Sequence, residues 1–185
     1  HGARPGKQIA HLVVVEDAGP DDLPRVYVLD EYVDTTGTAS PRDDARGVLA
    51  MLGRHGWSWR DVDFAAGDRV HMPGSGQQKS NRDISAAICR ELKLPPDTLN
   101  PPIRTIKRGA GRGAGSVDYG SRWLFHTMIA GRCGVHARGK RLIEALPKYT
   151  TADDDAKDPV DSLRYGLDRW IFRRRPVSGG PIVVG

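Results

Sequence analysis

The order of apolar and polar segments predicts an α/β domain, a mixed β-sheet with helices on both faces. Three observations carry that class. A valine-rich run at 9–16 and an alternating run at 25–33 flank the turn-forming Ala18-Gly19-Pro20-Asp21-Asp22, which reads as a β-hairpin. Beyond it, short apolar runs of strand length alternate with segments of helical periodicity. The chain has 185 residues, 38% of them apolar, which suits one ordinary core.

The later elements follow from the same signals. Ser40-Pro41 opens a helix through about residue 55, with Ala45, Val48, Leu49 and Leu52 on one face. Residues 62–66 form a short buried strand that ends at Gly67-Asp68. A glycine- and proline-containing loop, 71–80, leads to Ser80 or Asn81 as the cap of a helix through about 92, with Ile84, Ala87 and Ile88 inward. Residues 103–106 are a strand, 107–116 a basic glycine-rich loop, and 117–130 a helix carrying Trp123, Leu124, Met128 and Ile129. An edge strand at 133–136 and a helix at 140–146 precede the acidic linker Asp153–Asp155 and a last helix. Residues 1–176 read as a single domain and 177–185 as a tail, with no internal repeat.

The last helix is the most informative segment. Asp158 suits the N-cap and Pro159 the first helical position. Asp161 projects from the same face as Asp158, while Val160, Leu163, Leu167 and Ile171 form a separate apolar stripe. Paired hard oxygen ligands at fixed spacing suit Mg²⁺; the same pair also serves as an ordinary helix cap. Asp68 stands at the carboxyl end of a strand, where α/β sheets build sites, although an aspartate there also caps a turn.

The formal charge is +5, which favours a polyanionic partner. The basic residues fall in three groups: Arg104, Lys107, Arg108 and Arg112; Arg132, Arg138, Lys140 and Arg141; and Arg173, Arg174 and Arg175. Cys89 and Cys133 lack metal-site spacing and read as buried thiols of a reducing compartment. No apolar run is long enough to span a membrane, and no signal peptide is visible. His71 reads as a loop histidine, His126 as a packed one, Trp123 and Trp170 as core, and Asp168 as the partner of Arg164. Asp17 and Asp30 read as turn and surface residues.

Together these segments resemble the ribonuclease H-like nucleases, and among them the nuclease domain of the phage terminase large subunit. Asp158-Pro159-Val160-Asp161-Ser162-Leu163-Arg164-Tyr165-Gly166-Leu167 is similar to that family's closing Asp-x-x-Asp-Ala-Leu-Arg-Tyr-Ala-Leu helix. Residues 25–32 resemble its third strand, Phe64-Ala65-Ala66-Gly67-Asp68 the strand with its second metal ligand, and 140–149 the helix before its last acidic motif. Residues 1–8 look like the loop after its first strand, so that strand and its aspartate are expected ahead of His1. No Gly-x-x-x-x-Gly-Lys-[Ser/Thr] segment of its ATPase domain occurs.

The resemblance implies a ribonuclease H-like fold and a metal-dependent endonuclease that cuts double-stranded viral DNA during genome packaging. It implies Asp68, Asp158 and Asp161 as catalytic ligands of two Mg²⁺ or Mn²⁺ ions, Asp68 bridging and Asp161 favoured over Asp158. It implies duplex contacts from Arg104, Lys107, Arg108, Arg112, Arg138 and Lys140. The partners implied are DNA, an upstream ATPase domain of the same protein, the portal and the small terminase subunit, in the host bacterial cytoplasm. Two alternatives stand beside it: a Holliday-junction resolvase-like nuclease, and a basic DNA-binding or docking module without chemistry.

Overall fold

The computed structural model describes residues 8–16, 19, 22–34, 36–68, 80–106, 116–149 and 154–171, with the backbone course alone at 68, 116–118 and 154–156. Strands β1 (Gln8–Glu16) and β2 (Arg25–Asp34) are followed by helix α1 (Pro41–Gly53) and a 3-10 turn, Trp59–Asp61. Strand β3 (Ala65–Asp68), helix α2 (Asn81–Glu91) and strand β4 (Ile103–Ile106) come next. Helix α3 (Ser116–Ile129), strand β5 (Cys133–Val135) and helix α4 (Lys140–Ala145) lead to α5 (Asp154–Gly166) and α6 (Asp168–Ile171). The architecture is mixed α/β, with a small mixed sheet and helices.

The hairpin forms as the alternation predicts. β1 and β2 pair antiparallel from Gln8↔Asp34 to Glu16↔Arg25, and the register slips between Leu12 and Val13, where Leu29 is the extra residue. β5 joins β2 in parallel, giving the order β1-β2-β5. β3 and β4 pair in parallel as a separate two-stranded sheet, Ala65↔Ile103 through Asp68↔Ile106. Among the described residues no strand pairing joins the two sheets.

Two cores flank this framework. Leu12 packs with Ala45, Leu52, Trp59, Ile84 and Ile88, so α1 and α2 cover one face. Val26 and Val28 pack with Leu124, Leu142, Val160, Leu163, Leu167 and Ile171, so α3 to α6 cover the other. Both helices of the first face start at the predicted serines. Ser40 with Asp43, and Ser80 with Asp83, each form a reciprocal capping box that satisfies two otherwise unpaired backbone N–H groups.

Four expectations are corrected. α5 starts at Asp154, a turn before the expected cap, so Asp158 is an interior residue and Pro159 lies inside the helix. The acidic Asp154-Asp155 start complements a helix N-terminus, and one proline in the second turn removes only one backbone bond. Pro159 is fully buried, and its carbonyl accepts from His11 Nε2 at 2.9 Å. β3 begins at Ala65 because Val62 closes the preceding 3-10 turn, its N–H donating to the Trp59 carbonyl. His126 is exposed: Leu124 and Thr127 are the residues that α3 buries. Asp30 is buried within β2 and is no surface residue.

No helix among the described residues is long and apolar enough to cross a membrane.

Candidate active site

The site predicted from sequence would form where α5 meets the sheets. α5 packs against both β1 and β3. Its apolar stripe drives this, because Val160, Leu163 and Leu167 are each about fully buried. Two polar contacts fix its height on β1: His11 to the Pro159 carbonyl, and Ser162 Oγ donating to the Ile9 carbonyl at 3.2 Å. Asp158 is half-buried and lies one residue ahead of the His11 contact, while Ser162 meets the start of β1.

β3 is held close to α2 by a glycine. A Cβ at Gly67 would collide with the Asn81 side chain, so only glycine lets the first residue of α2 lie against the strand. Asn81 Nδ2 in turn donates to Thr105 Oγ1 on β4 at 3.1 Å. The backbone of Asp68 closes β3 opposite Ile106. The predicted proximity of the Asp68 and Asp161 carboxylates lies outside the described residues, as do Asp17, His71, Lys107, Arg108, Arg112 and Arg173 to Arg175.

Asp161 is not an open ligand. It is buried, and its Oδ1 accepts from Arg164 Nε at 3.2 Å, from Arg164 Nη2 at 3.1 Å and from the Tyr149 hydroxyl at 3.4 Å. Tyr149 also meets Ser121 Oγ at 3.2 Å, which ties α3 into the network. Burial, chiefly, raises the Tyr149 pKa above the ordinary phenol value. Arg164 is buried too, with its guanidinium 4.7 Å from the Tyr165 ring centroid. A Cβ at Gly120 would stand 2.8 Å from Arg164 Cδ, so this glycine lets α3 pass over the arginine. Arg164 thus serves Asp161, three residues earlier, where the sequence reading assigned it to Asp168.

Two further polar groups are buried near β1 and β2. Asp30 accepts from Arg54 Nε at 2.8 Å, from the Glu31 N–H at 2.9 Å, and meets His55 Nε2 at 3.2 Å. Burial pushes its pKa up, but these partners outweigh burial and hold it below the usual carboxylate value. His11 has its pKa lowered to about 4 by burial, against the opposing pull of the Pro159 carbonyl. Among the described residues its Nδ1 has no hydrogen-bond partner. The Nε2–H therefore donates and the ring is neutral.

The remaining predicted DNA contacts are dispersed. Arg104 is exposed on β4, and Arg138 and Lys140 are exposed where β5 leads into α4. Arg132 is instead tied down, donating to the Leu23 carbonyl at 2.7 Å and to Asp22 Oδ2 at 3.0 Å. Sequence reasoning missed Phe64, Arg169 and the outer side of Trp170, which meet Arg104 in one patch. The adjacent Arg169-Trp170 pair was the available signal.

Asp158 and Asp161 offer the hard oxygen donors that Mg²⁺ or Mn²⁺ prefers, and Asp161 also carries Arg164. Among the described residues no three His, Cys, Asp or Glu side chains gather as a metal-holding group. Compared with known proteins, the chain matches no family model, no curated protein and no solved structure.

Proposed function

We propose that this chain is a metal-dependent endonuclease domain of the ribonuclease H-like kind, similar to that of the terminase large subunit, acting on double-stranded DNA. One observation supports the reading most. The helix that carries Asp158 and Asp161 lies over both β1 and β3, and β3 ends at Asp68.

In this reading Asp68 and Asp158 are the metal ligands. A bound divalent cation would activate water and stabilise the leaving oxygen of the phosphodiester. Asp161 acts through its neighbours: Arg164 on the same helix and Tyr149, itself bonded to Ser121, hold its carboxylate and tie this turn of α5, one turn from Asp158, to α3. Exposed Arg104, Arg138 and Lys140 supply sequence-independent attraction for phosphates.

The test is plasmid nicking by the full-length protein with Mn²⁺. Asp68→Ala and Asp158→Ala should each abolish nicking while leaving the protein folded. Asp161→Ala should lower both activity and melting temperature. An Asp158→Ala protein that nicks as fast as wild type overturns the assignment. One observation favours a second reading, a DNA-binding module without chemistry: Asp161, the favoured ligand from sequence, is neutralised by Arg164. DNA binding with no nicking at any Mn²⁺ concentration would establish it.

A further inference from the structure

Phe64 sits just before β3 with its ring half-buried. The Arg169 guanidinium carbon lies 5.3 Å from the Phe64 ring centroid and 4.8 Å from that of Trp170. The Arg104 guanidinium carbon lies 5.8 Å from the Phe64 centroid. Phe64 and Trp170 meet edge to face, 6.3 Å apart at 88°. Three elements far apart in sequence, β4, α6 and the approach to β3, therefore put two arginines on one aromatic platform.

Both arginines are exposed, and among the described residues neither pairs with a carboxylate. This differs from Arg42, Arg46, Arg54, Arg132, Arg141 and Arg164, each of which has an acidic partner. A guanidinium over a ring face is attracted by the ring quadrupole and loses conformational freedom before any ligand arrives. Its N–H edge stays available to solvent, in the fork geometry that matches two phosphate oxygens. The rings are occupied by arginines and, for Trp170, by the second core, so they are poor platforms for stacking bases.

We propose that Arg104 and Arg169, stacked on Phe64 and Trp170, form a phosphate clamp for the backbone of duplex DNA. Its location relative to the chemistry rests on the endonuclease reading; the binding itself does not. Arg104 pairs with Ala66, two residues before the Asp68 that closes β3, so in that reading the clamp lies beside the cutting site.

The test measures duplex binding by the 185-residue chain in EDTA across a salt series, with no metal and no cleavage. Arg104→Ala and Arg169→Ala should each flatten the dependence of log affinity on log salt by roughly 0.9. Lysine at either position should recover the slope but not the full affinity, because an ammonium does not stack as a plane. Phe64→Leu, which keeps both charges, should weaken binding with little change in slope. Unchanged binding in both alanine variants, or a wild-type chain that does not bind duplex at low salt, overturns the clamp. Loss confined to single-stranded DNA also overturns it and makes the patch a strand-stacking surface. A chain that binds as described yet never nicks DNA retains the clamp and loses the endonuclease reading.

Discussion

Asp30 and Asp161 are both buried aspartates held by an arginine, yet the two regions are built differently. Asp30 lies on β2, and its partner Arg54 reaches in from the end of α1 with 40% of its side chain exposed. That pair closes a long loop and fastens a helix to the hairpin. Arg164 and Asp161 share one helix, three residues apart, and both are buried, at 7% and 11% side-chain exposure. The two carboxylates are themselves similarly buried, Asp30 at 3% and Asp161 at 11% side-chain exposure, so the contrast lies in their arginines: one reaches solvent and one does not. The first pair joins two elements directly, whereas the second lies within one helix and is tied to α3 only through Tyr149 and Ser121.

The sharpest break of this comparison is Arg164→Ala. Removing the arginine of a buried pair leaves Asp161 only the long bond from the Tyr149 hydroxyl, and stability should fall by about 3 kcal/mol. Urea unfolding measures it; a loss below about 1 kcal/mol would mean that Asp161 is hydrated.

A second test uses His11, which is buried with one nitrogen satisfied and, among the described residues, one not. Its folded pKa of about 4 lies below the unfolded value of about 6.5. The unfolded chain therefore takes up the proton first as pH falls. Stability from this group is whole above pH ~6.5 and is lost on the way down to pH ~4, by up to about 3 kcal/mol. His11→Phe should remove that acid-sensitive portion from a urea midpoint measured between pH 7 and 4.5.

The smallest effect is at Arg54. Arg54→Ala leaves Asp30 its bonds to the Glu31 N–H and His55, so about 2 kcal/mol should be lost at pH 7. Asp30 has a depressed folded pKa, so its contribution is present above pH ~3.9 and fades as pH drops through the folded value. Arg54→Ala should raise that folded value and move the acid-unfolding midpoint upward. An unmoved midpoint would show that another carboxylate governs acid unfolding.

Local rules were legible in the sequence. The capping boxes at Ser40 and Ser80 place both helix starts, and Ile103–Ile106 is a strand as read. The apolar stripe of α5 is buried at every predicted position. What escaped depends on distant partners. Glu31 on β2 accepts from the Arg141 N–H at 2.6 Å and from the Leu142 N–H at 3.3 Å, capping α4 from more than a hundred residues away. No local pattern announces such a cap, and the same holds for Asp30 with Arg54. At the candidate site, spacing alone offered Arg164 two aspartates, one on either side. The burial of Asp161 under α3 and Tyr149 decided between them, and that burial is a tertiary fact. The Asp68 carboxylate lies outside the described side chains.

The division into two cores has a consequence for synthesis. The first core draws on residues between Ala10 and Ile103, so it can close while the rest of the chain is still being translated. The second core needs Val26 and Val28 from the hairpin, but half of its cover comes from Val160, Leu163, Leu167 and Ile171. Until that segment leaves the ribosome, this face of the hairpin is covered only by Leu124, Leu142 and Ala145 and stays partly exposed. The same helix that carries the candidate ligands is therefore the one that ends the nascent chain's exposure to aggregation, and a ribosome stalled before it would leave a half-covered sheet for chaperones to hold.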